Sequence, residues 1–407
     1  MNRINRRQFI IGGAVSSLAA ALPVFAQAPA SFRIGALNPI TGAGANYGAG
    51  MQKSILFAAA EINAAGGAAG RKFEVFAEDD QTTPNAGVLA AKKLIEVNKV
   101  QAILGTWASG VSLAVMPLTN DANALLMHTS GAVALADPKL NAKKMSFRYQ
   151  GSSKHLSKAF MKAAQKEGLK RPAVMASNNP ATAPHAEGFR KEWLAAGGQL
   201  TDFVLYEPNR TSYRSELQQV LRSKPDGIIL SGYAPDGVLI IRDWFQSGTK
   251  MKWIMPGFAA NPEFLKALGN EPTEGIVVVE SIVNEGAAAY KAFAKQYESV
   301  MGKPAASNVY AAMCYDMVNV LALAIEAAGA NASSAVIAQK VHEVTTGPGQ
   351  QVGSFAEGRT LLKQGKRINY EGASSSVDFD DENDVDPTFA AFVIKSGAWQ
   401  RTYLINR

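Results

Sequence analysis

This 407-residue chain has one cysteine, Cys314. That excludes an intramolecular disulfide framework and a zinc site built on several thiolates. Four histidines leave little material for a His-based metal centre. Runs of Lys and Arg of the kind that follow phosphates are also missing, so nucleic acid is not an expected partner. The net charge is +7, but Arg3, Arg6 and Arg7 sit in a leader without acids, and the remaining +4 is spread along the chain. Mean hydropathy near zero (−0.03) excludes a polytopic membrane protein. Neither a Ser–His–acid set nor a Gly-x-Gly-x-x-Gly after a strand is found, so no enzyme is expected. What is present is 47% hydrophobic residues and length for two domains at about 100–200 residues each.

Residues 1–26 read as a signal peptide. A basic stretch ends in Arg6-Arg7, an apolar stretch runs from Phe9 to Ala21, and small residues follow at Ala26 and Ala28. Asn5-Arg6-Arg7-Gln8-Phe9-Ile10 is similar to the twin-arginine export motif. A single transmembrane helix is the alternative, weakened by the short, Gly/Ala/Ser-rich stretch and by Pro23. Cleavage after Ala28 would leave Pro29 at the new terminus, so cleavage after Ala26 is expected, giving a periplasmic protein.

The body alternates short apolar runs with amphipathic helices. Phe32–Leu37, Lys72–Ala77, Val100–Gly105 and Ala124–His128 read as buried strands. Helices at Tyr47–Ala64, Asn85–Val97 and Ser109–Asp121 lie between them. The pattern restarts after Phe147-Arg148, with strands at Pro172–Ser177, Leu200–Tyr206, Gly227–Ser231, Lys252–Met255 and Gly275–Val279. Then helices crowd together at Ala287–Val300, Asn308–Ala328 and Ser333–Val344, and short strands are expected at Ser375–Asp380, Phe389–Lys395 and Ala398–Ile405. The expected fold is α/β: two Rossmann-like lobes with parallel-type sheets, joined by a hinge of three crossings. One lobe takes residues 31–147 plus 281–346, the other 148–280 plus 347–407. A ligand would sit in the cleft, at strand C-termini.

Several strings carry a resemblance. They are Ile34-Gly-Ala-Leu-Asn-Pro-Ile-Thr-Gly42 with Asn46-Tyr47-Gly48, Glu61-Ile-Asn-Ala-Ala-Gly-Gly67 with Gly70-Arg71-Lys72, and Glu78-Asp79-Asp80 with Pro84. Ile103-Leu-Gly105 with Ser109-Gly110, Lys224-Pro-Asp226, Gly232-Tyr-Ala-Pro-Asp236 and Asn369-Tyr-Glu-Gly-Ala-Ser374 complete them. In order and spacing the chain resembles the branched-chain amino-acid-binding family of periplasmic receptors. The resemblance implies a type I periplasmic binding protein that hands a small-molecule ligand to an ABC permease in the inner membrane. A monomer without cofactors or metal is expected.

Ser109 follows a strand and opens a helix, where a hydroxyl beside free N–H groups suits an anion. The resemblance gives this Ser to the ligand carboxylate, and gives the loop Thr129-Ser130-Gly131-Ala132 the same task through backbone N–H groups and a hydroxyl. Val133 stands where amino-acid receptors carry a Thr. Tyr47 resembles the family's first-loop aromatic, with ordinary packing as the alternative. Phe258 stands where such receptors carry an acid for the ligand ammonium, and Asn178-Asn-Pro-Ala-Thr-Ala-Pro184 lacks their Tyr-Gly pair. A buried ammonium without a counter-charge costs several kcal/mol, so an α-amino acid fits poorly unless Asp236 or Glu280 reaches in. Trp107, Tyr233 and Phe258 suggest an apolar or aromatic wall. The expected ligand is a carboxylate with an apolar or aromatic body. A branched-chain or other amino-acid receptor, or a ligand sensor on the same fold, is the alternative. His128 reads as structural, Cys314 as inert core, and Asp378–Asp384 as a solvated turn.

Overall fold

The computed structural model describes residues 30–405, so the leader lies outside it. The first lobe opens with β1 (Phe32–Asn38), α1 (Ala45–Ala64), β2 (Phe73–Asp79), α2 (Pro84–Lys92), β3 (Ala102–Thr106), α3 (Ser109–Ala122), β4 (Leu125–His128) and β5 (Ser146–Arg148). The chain crosses to a second lobe of α4 (Ser153–Lys166), β6 (Ala173–Ser177), α5 (Thr182–Ala195), β7 (Phe203–Tyr206), α6 (Arg214–Arg222), β8 (Ile228–Ser231), α7 (Ala234–Gln246), β9 (Trp253–Pro256), α8 (Pro262–Leu268), α9 (Asn270–Thr273) and β10 (Val277–Ser281). It returns with α10 (Ala288–Met301), α11 (Val309–Ala328), α12 (Ser334–Thr345), β11 (Gln350–Val352), α13 (Phe355–Lys363) and β12 (Ile368–Tyr370). It then crosses again to β13 (Phe389–Lys395) and β14 (Ala398–Ile405).

The first sheet is parallel, in the order β2-β1-β3-β4-β5. The second runs β14-β13-β10-β9-β8-β6-β7, parallel except where β13 meets β10 and β14. Each sheet reverses strand order beside its first strand, opening a crevice at the C-terminal ends of β1 and β3 and of β6 and β8. The inner strands, such as β3, β6 and β8, are short, fully buried apolar runs because helices cover both faces.

The helix α11 is apolar on nearly every face and buried along most of its length. Among the described residues it alone is long and apolar enough to cross a membrane, yet 83% of its most apolar window is buried inside the first lobe. A helix apolar all round is what a core position requires. Cys314 lies within it and is buried, and burial raises its thiol pKa well above the ordinary value.

One expected boundary is corrected. Residues 347–385 belong to the first lobe, not the second. Val352, Phe355, Leu361, Ile368 and Tyr370 join the core built on α11. The buried Asp316 carboxylate of α11 accepts from Tyr370 Oη (2.8 Å), Ala373 N (2.8 Å), Ser374 N (2.7 Å) and Ser374 Oγ (2.6 Å). These bonds anchor the Asn369–Ser374 string to the first lobe. The expected strand at Ser375–Asp380 is irregular chain laid over that core, with Phe379 edge-on to Tyr149 (5.1 Å between centroids) and Phe147 (5.4 Å). The crossings thus follow β5, β10 and residue 385, three in all.

Candidate ligand-binding site

The first-lobe wall of the cleft is aimed by a glycine. Gly105 has φ +97°, and a Cβ there would lie 2.2 Å from Asn38 Nδ2. The pairing of β3 with β4 shifts register between Leu104 and Thr106 at this point. The bulge turns the strand end so that Trp107 and Ser109 face the second lobe.

Beside it runs the loop Thr129–Ala132. Thr129 N donates to Thr106 O (3.0 Å) and Ser130 N to His128 Nδ1 (3.2 Å). Ala132 N donates to Ser109 Oγ (3.1 Å). The Ser130 hydroxyl donates to Trp107 O (2.9 Å) and pairs with Ser112 Oγ (2.5 Å). The carbonyls are occupied too. Gly131 O accepts from Ser153 N (2.7 Å) and Ser153 Oγ (2.9 Å). Ser130 O and Ala132 O accept from Arg148 Nη1 at 2.7 and 2.9 Å. Among the described residues no acceptor meets the Gly131 N–H. Ser109 Oγ accepts one bond and keeps its own proton free. At the start of α3, Val111 N and Ser112 N donate to Ala108 O, while among the described residues no acceptor meets the Ser109 and Gly110 N–H groups, so this corner presents open donors.

The second lobe contributes Tyr233 at the start of α7 and Phe258 after β9. Tyr233 lies 5.4 Å from Trp107 across the cleft and 5.8 Å from Phe258. Trp107, Ser109, Gly131, Gln150, Ser153, Leu156, Ala181, Tyr233, Phe258 and Tyr310 enclose a cavity of about 30 Å³, room for roughly two waters. Tyr233 is also the inner wall of a larger pocket of about 410 Å³ at the cleft mouth, shared by Thr82 and Thr83 on one lobe and Asn179 and Asn209 on the other.

Two acids lie close by. Asp236 accepts from Tyr213 Oη (2.6 Å) and Asn209 N (3.2 Å), and it lines the outer pocket. Glu280 is the buried penultimate residue of β10, and its Oε1 accepts from Ser281 N (2.8 Å) and Ser281 Oγ (3.0 Å). Its Oε2 lies under Gly257, where any Cβ would come within 2.4 Å. Its charge bears on Tyr47 and Tyr310. Burial raises its pKa to about 7, against opposing hydrogen bonds from Ser281.

Of the residues singled out from sequence, Trp107, Ser109, Gly131, Tyr233 and Phe258 come together around the inner cavity. Three do not line it. Ser130 is fully buried with its hydroxyl spent inside the lobe. The Ala132 N–H is spent on Ser109. Tyr47 packs beside the wall, 5.5 Å from Trp107 and 4.9 Å from Tyr310, with its hydroxyl toward Asn261 of the second lobe. Sequence reading missed Tyr310, Gln150 and Ser153. Ser153 carried a signal as the first residue of a helix after a crossing, whereas nothing local marks Tyr310.

The sequence model of a family described as periplasmic binding protein matches residues 31–366. The chain belongs to that family. A Leu/Ile/Val-binding protein of Rhizobium johnstonii is 26% identical over 79% of this chain and 86% of its own. A leucine-, isoleucine-, valine-, threonine- and alanine-binding protein of Pseudomonas aeruginosa is 24% identical over 75% and 80%. Among solved structures, a leucine-binding protein of Thermotoga maritima superposes with TM-score 0.77 at 22% identity, covering 92% of this chain and 99% of that one. A solute-binding protein of R. palustris in complex with benzoate superposes with TM-score 0.72 at 19% identity, covering 92% and 96%. This periplasmic binding protein therefore has the type I fold of the family, with its lobes closed on a small cleft cavity.

Proposed function

We propose that the protein is a receptor that captures a small carboxylate with an apolar, aromatic-sized body between its lobes. It then delivers that ligand, as a monomer, to an ABC importer of the branched-chain amino-acid type. The observation that carries this reading is the pairing of a donor-only corner, at Ser109, the Gly131 N–H and the start of α3, with walls of Trp107, Tyr233, Phe258 and Tyr310. Donors without a competing acceptor favour an anion, and the aromatic walls favour a flat apolar body. Solved structures of similar fold hold benzoate and 3,4-dihydroxybenzoic acid. Export by the twin-arginine route, from Arg6-Arg7, belongs to the same proposal.

A second reading, an α-amino acid as ligand, has one observation in its favour. Glu280 stands close to the aromatic wall, with no cation beside it among the described residues, and could face an ammonium. Relatives named for leucine, isoleucine and valine point the same way. Calorimetry with leucine, isoleucine and valine beside benzoate-type and aliphatic acids separates the two. Micromolar or tighter binding of leucine, with the amine-free acids silent, would overturn the first reading. Turnover of a bound acid would overturn the receptor role itself.

A further inference from the structure

Arg148 is 1% exposed, at the end of β5, and lines neither cleft pocket. Its guanidinium nevertheless holds the two carbonyls that flank Gly131 in the anion corner. Nη1 bridges Ser130 O (2.7 Å) and Ala132 O (2.9 Å), and Nε donates to Asp384 Oδ1 (2.7 Å). Asp384 belongs to the segment leading into the third crossing, where Arg148 N also donates to Asn383 O (2.9 Å) and Val385 N to Arg148 O (3.3 Å). Nη2 is buried and has no partner among the described residues.

We propose that Arg148 is the positioning residue that makes the Thr129–Ala132 loop receptive to a carboxylate, with Asp384 setting how much of its charge the site feels. The inference rests on the carboxylate reading above. Two carbonyls, two residues apart and both drawn inward by Nη1 of one rigid guanidinium, leave the Gly131 N–H, on the opposite side of the Ser130–Gly131 peptide, turned to the cleft. Without that fork, Ser130 O and Ala132 O would be free to present their negative ends to the ligand. The guanidinium also places a fixed positive charge directly behind the donors, where exclusion of water strengthens its field. Asp384 opposes that charge from the far side, so the ion pair ties the anion corner to the hinge.

The test uses the whole mature protein and compares benzoate with benzamide, equal in shape and different in charge. Arg148→Met alone leaves Asp384 buried without its partner and is expected to fold poorly. Arg148→Met with Asp384→Leu removes both charges and is the folding-safe variant. It is expected to lose about tenfold or more in benzoate affinity with benzamide changed less than about threefold. Asp384→Asn keeps the hydrogen bond, removes the opposing charge, and is expected to tighten benzoate by about threefold. Equal losses for acid and amide, or a looser benzoate complex in Asp384→Asn, would reduce Arg148 to a scaffold residue and overturn the proposal. A wild type that binds none of the acids refutes the carboxylate reading instead. The positioning claim is then decided without ligand by hydrogen exchange. Ser130 and Ala132 amides should exchange about tenfold faster in the double variant while those of β4 do not change, and unaltered loop exchange would overturn it.

Discussion

Replacing Glu280 by Gln tests the electrostatics of the cleft without altering its shape. The carboxyl has Ser281 N and Oγ as donors to Oε1, and a Gln Oε1 can accept both. Burial holds the folded pKa at about 7 against an ordinary 4.5. A carboxyl raised in this way contributes stability that is fully present below about 4.5 and is lost as pH rises through about 7. At 1.36 kcal/mol per pH unit the whole effect is about 3 kcal/mol. E280Q should therefore match the wild type near pH 4.5 and exceed it by up to about 3 kcal/mol at pH 8. Urea-denaturation midpoints read by tryptophan fluorescence across that range give the comparison. Asp80, raised to about 7, and Asp316, raised to about 6, slope in the same direction, so only the difference between the two proteins isolates Glu280. Parallel curves would refute the reasoning, because they would mean that Glu280 is hydrated or paired when ionised. The same variant separates the two ligand readings. At pH 8 an acid should bind E280Q more tightly than wild type, whereas an amino acid that relied on Glu280 would lose its counter-charge.

Ser109→Ala should weaken acid binding by about 1–3 kcal/mol, since a charge-assisted bond is lost, with the fold intact by circular dichroism. An unchanged Kd would show that the start of α3 does not face the ligand. Tyr233→Ala removes the ring contact that joins the lobes through Trp107, worth about 0.5–1.5 kcal/mol. It should shift ligand-free protein toward more open forms, seen as a larger radius of gyration in solution scattering, and identical scattering would count against a bridging role. Replacing Arg6 and Arg7 together by Lys should leave precursor in the cytoplasm, and an unchanged periplasmic yield would remove the twin-arginine route.

Most of the fold was legible because its signals are local. Short apolar runs such as Ala102–Thr106 and Ile228–Ser231 sit between helices with clear apolar spacing, and parallel α/β sheets are built of just such runs. The lobe assignment of residues 347–385 was not legible. A three-residue strand such as Gln350–Val352 has no period to read, and its apolar content does not say which core it joins. That was decided by Asp316, whose buried carboxylate gathers donors from 54 to 58 residues downstream. The site divides in the same way. Ser109 and Gly131 follow strand ends, a position that sequence does reveal. Ser130 follows one too, yet its hydroxyl turns inward to Trp107 O, and no spacing along the chain distinguishes those two directions. Arg148 and Tyr310 acquire their places through contacts with residues far away in sequence.

The two halves of the cleft differ in how firmly they are held, and this sets an order of events. On the first lobe the anion corner is wired through backbone bonds, Arg148 and His128, and among the described residues it is tied to the second lobe only at the start of α4, where Gly131 O accepts from Ser153. The aromatic wall of Tyr233 and Phe258 rides on the second lobe and meets that corner only on closure. A cavity of about 30 Å³ cannot take a benzoate-sized body, so the lobes must part to admit it and then close around it less tightly than they do here. On the carboxylate reading the acid head should dock first, with closure driven by burying the body, at ~25 cal/mol per Å² of apolar surface before entropy costs. Acetate, a head without a body, should therefore occupy the Ser109 corner weakly and leave the scattering profile unchanged, while benzoate should stabilise the closed form. Closure by acetate as complete as closure by benzoate would show that the head alone drives the lobes together and that the aromatic wall only follows.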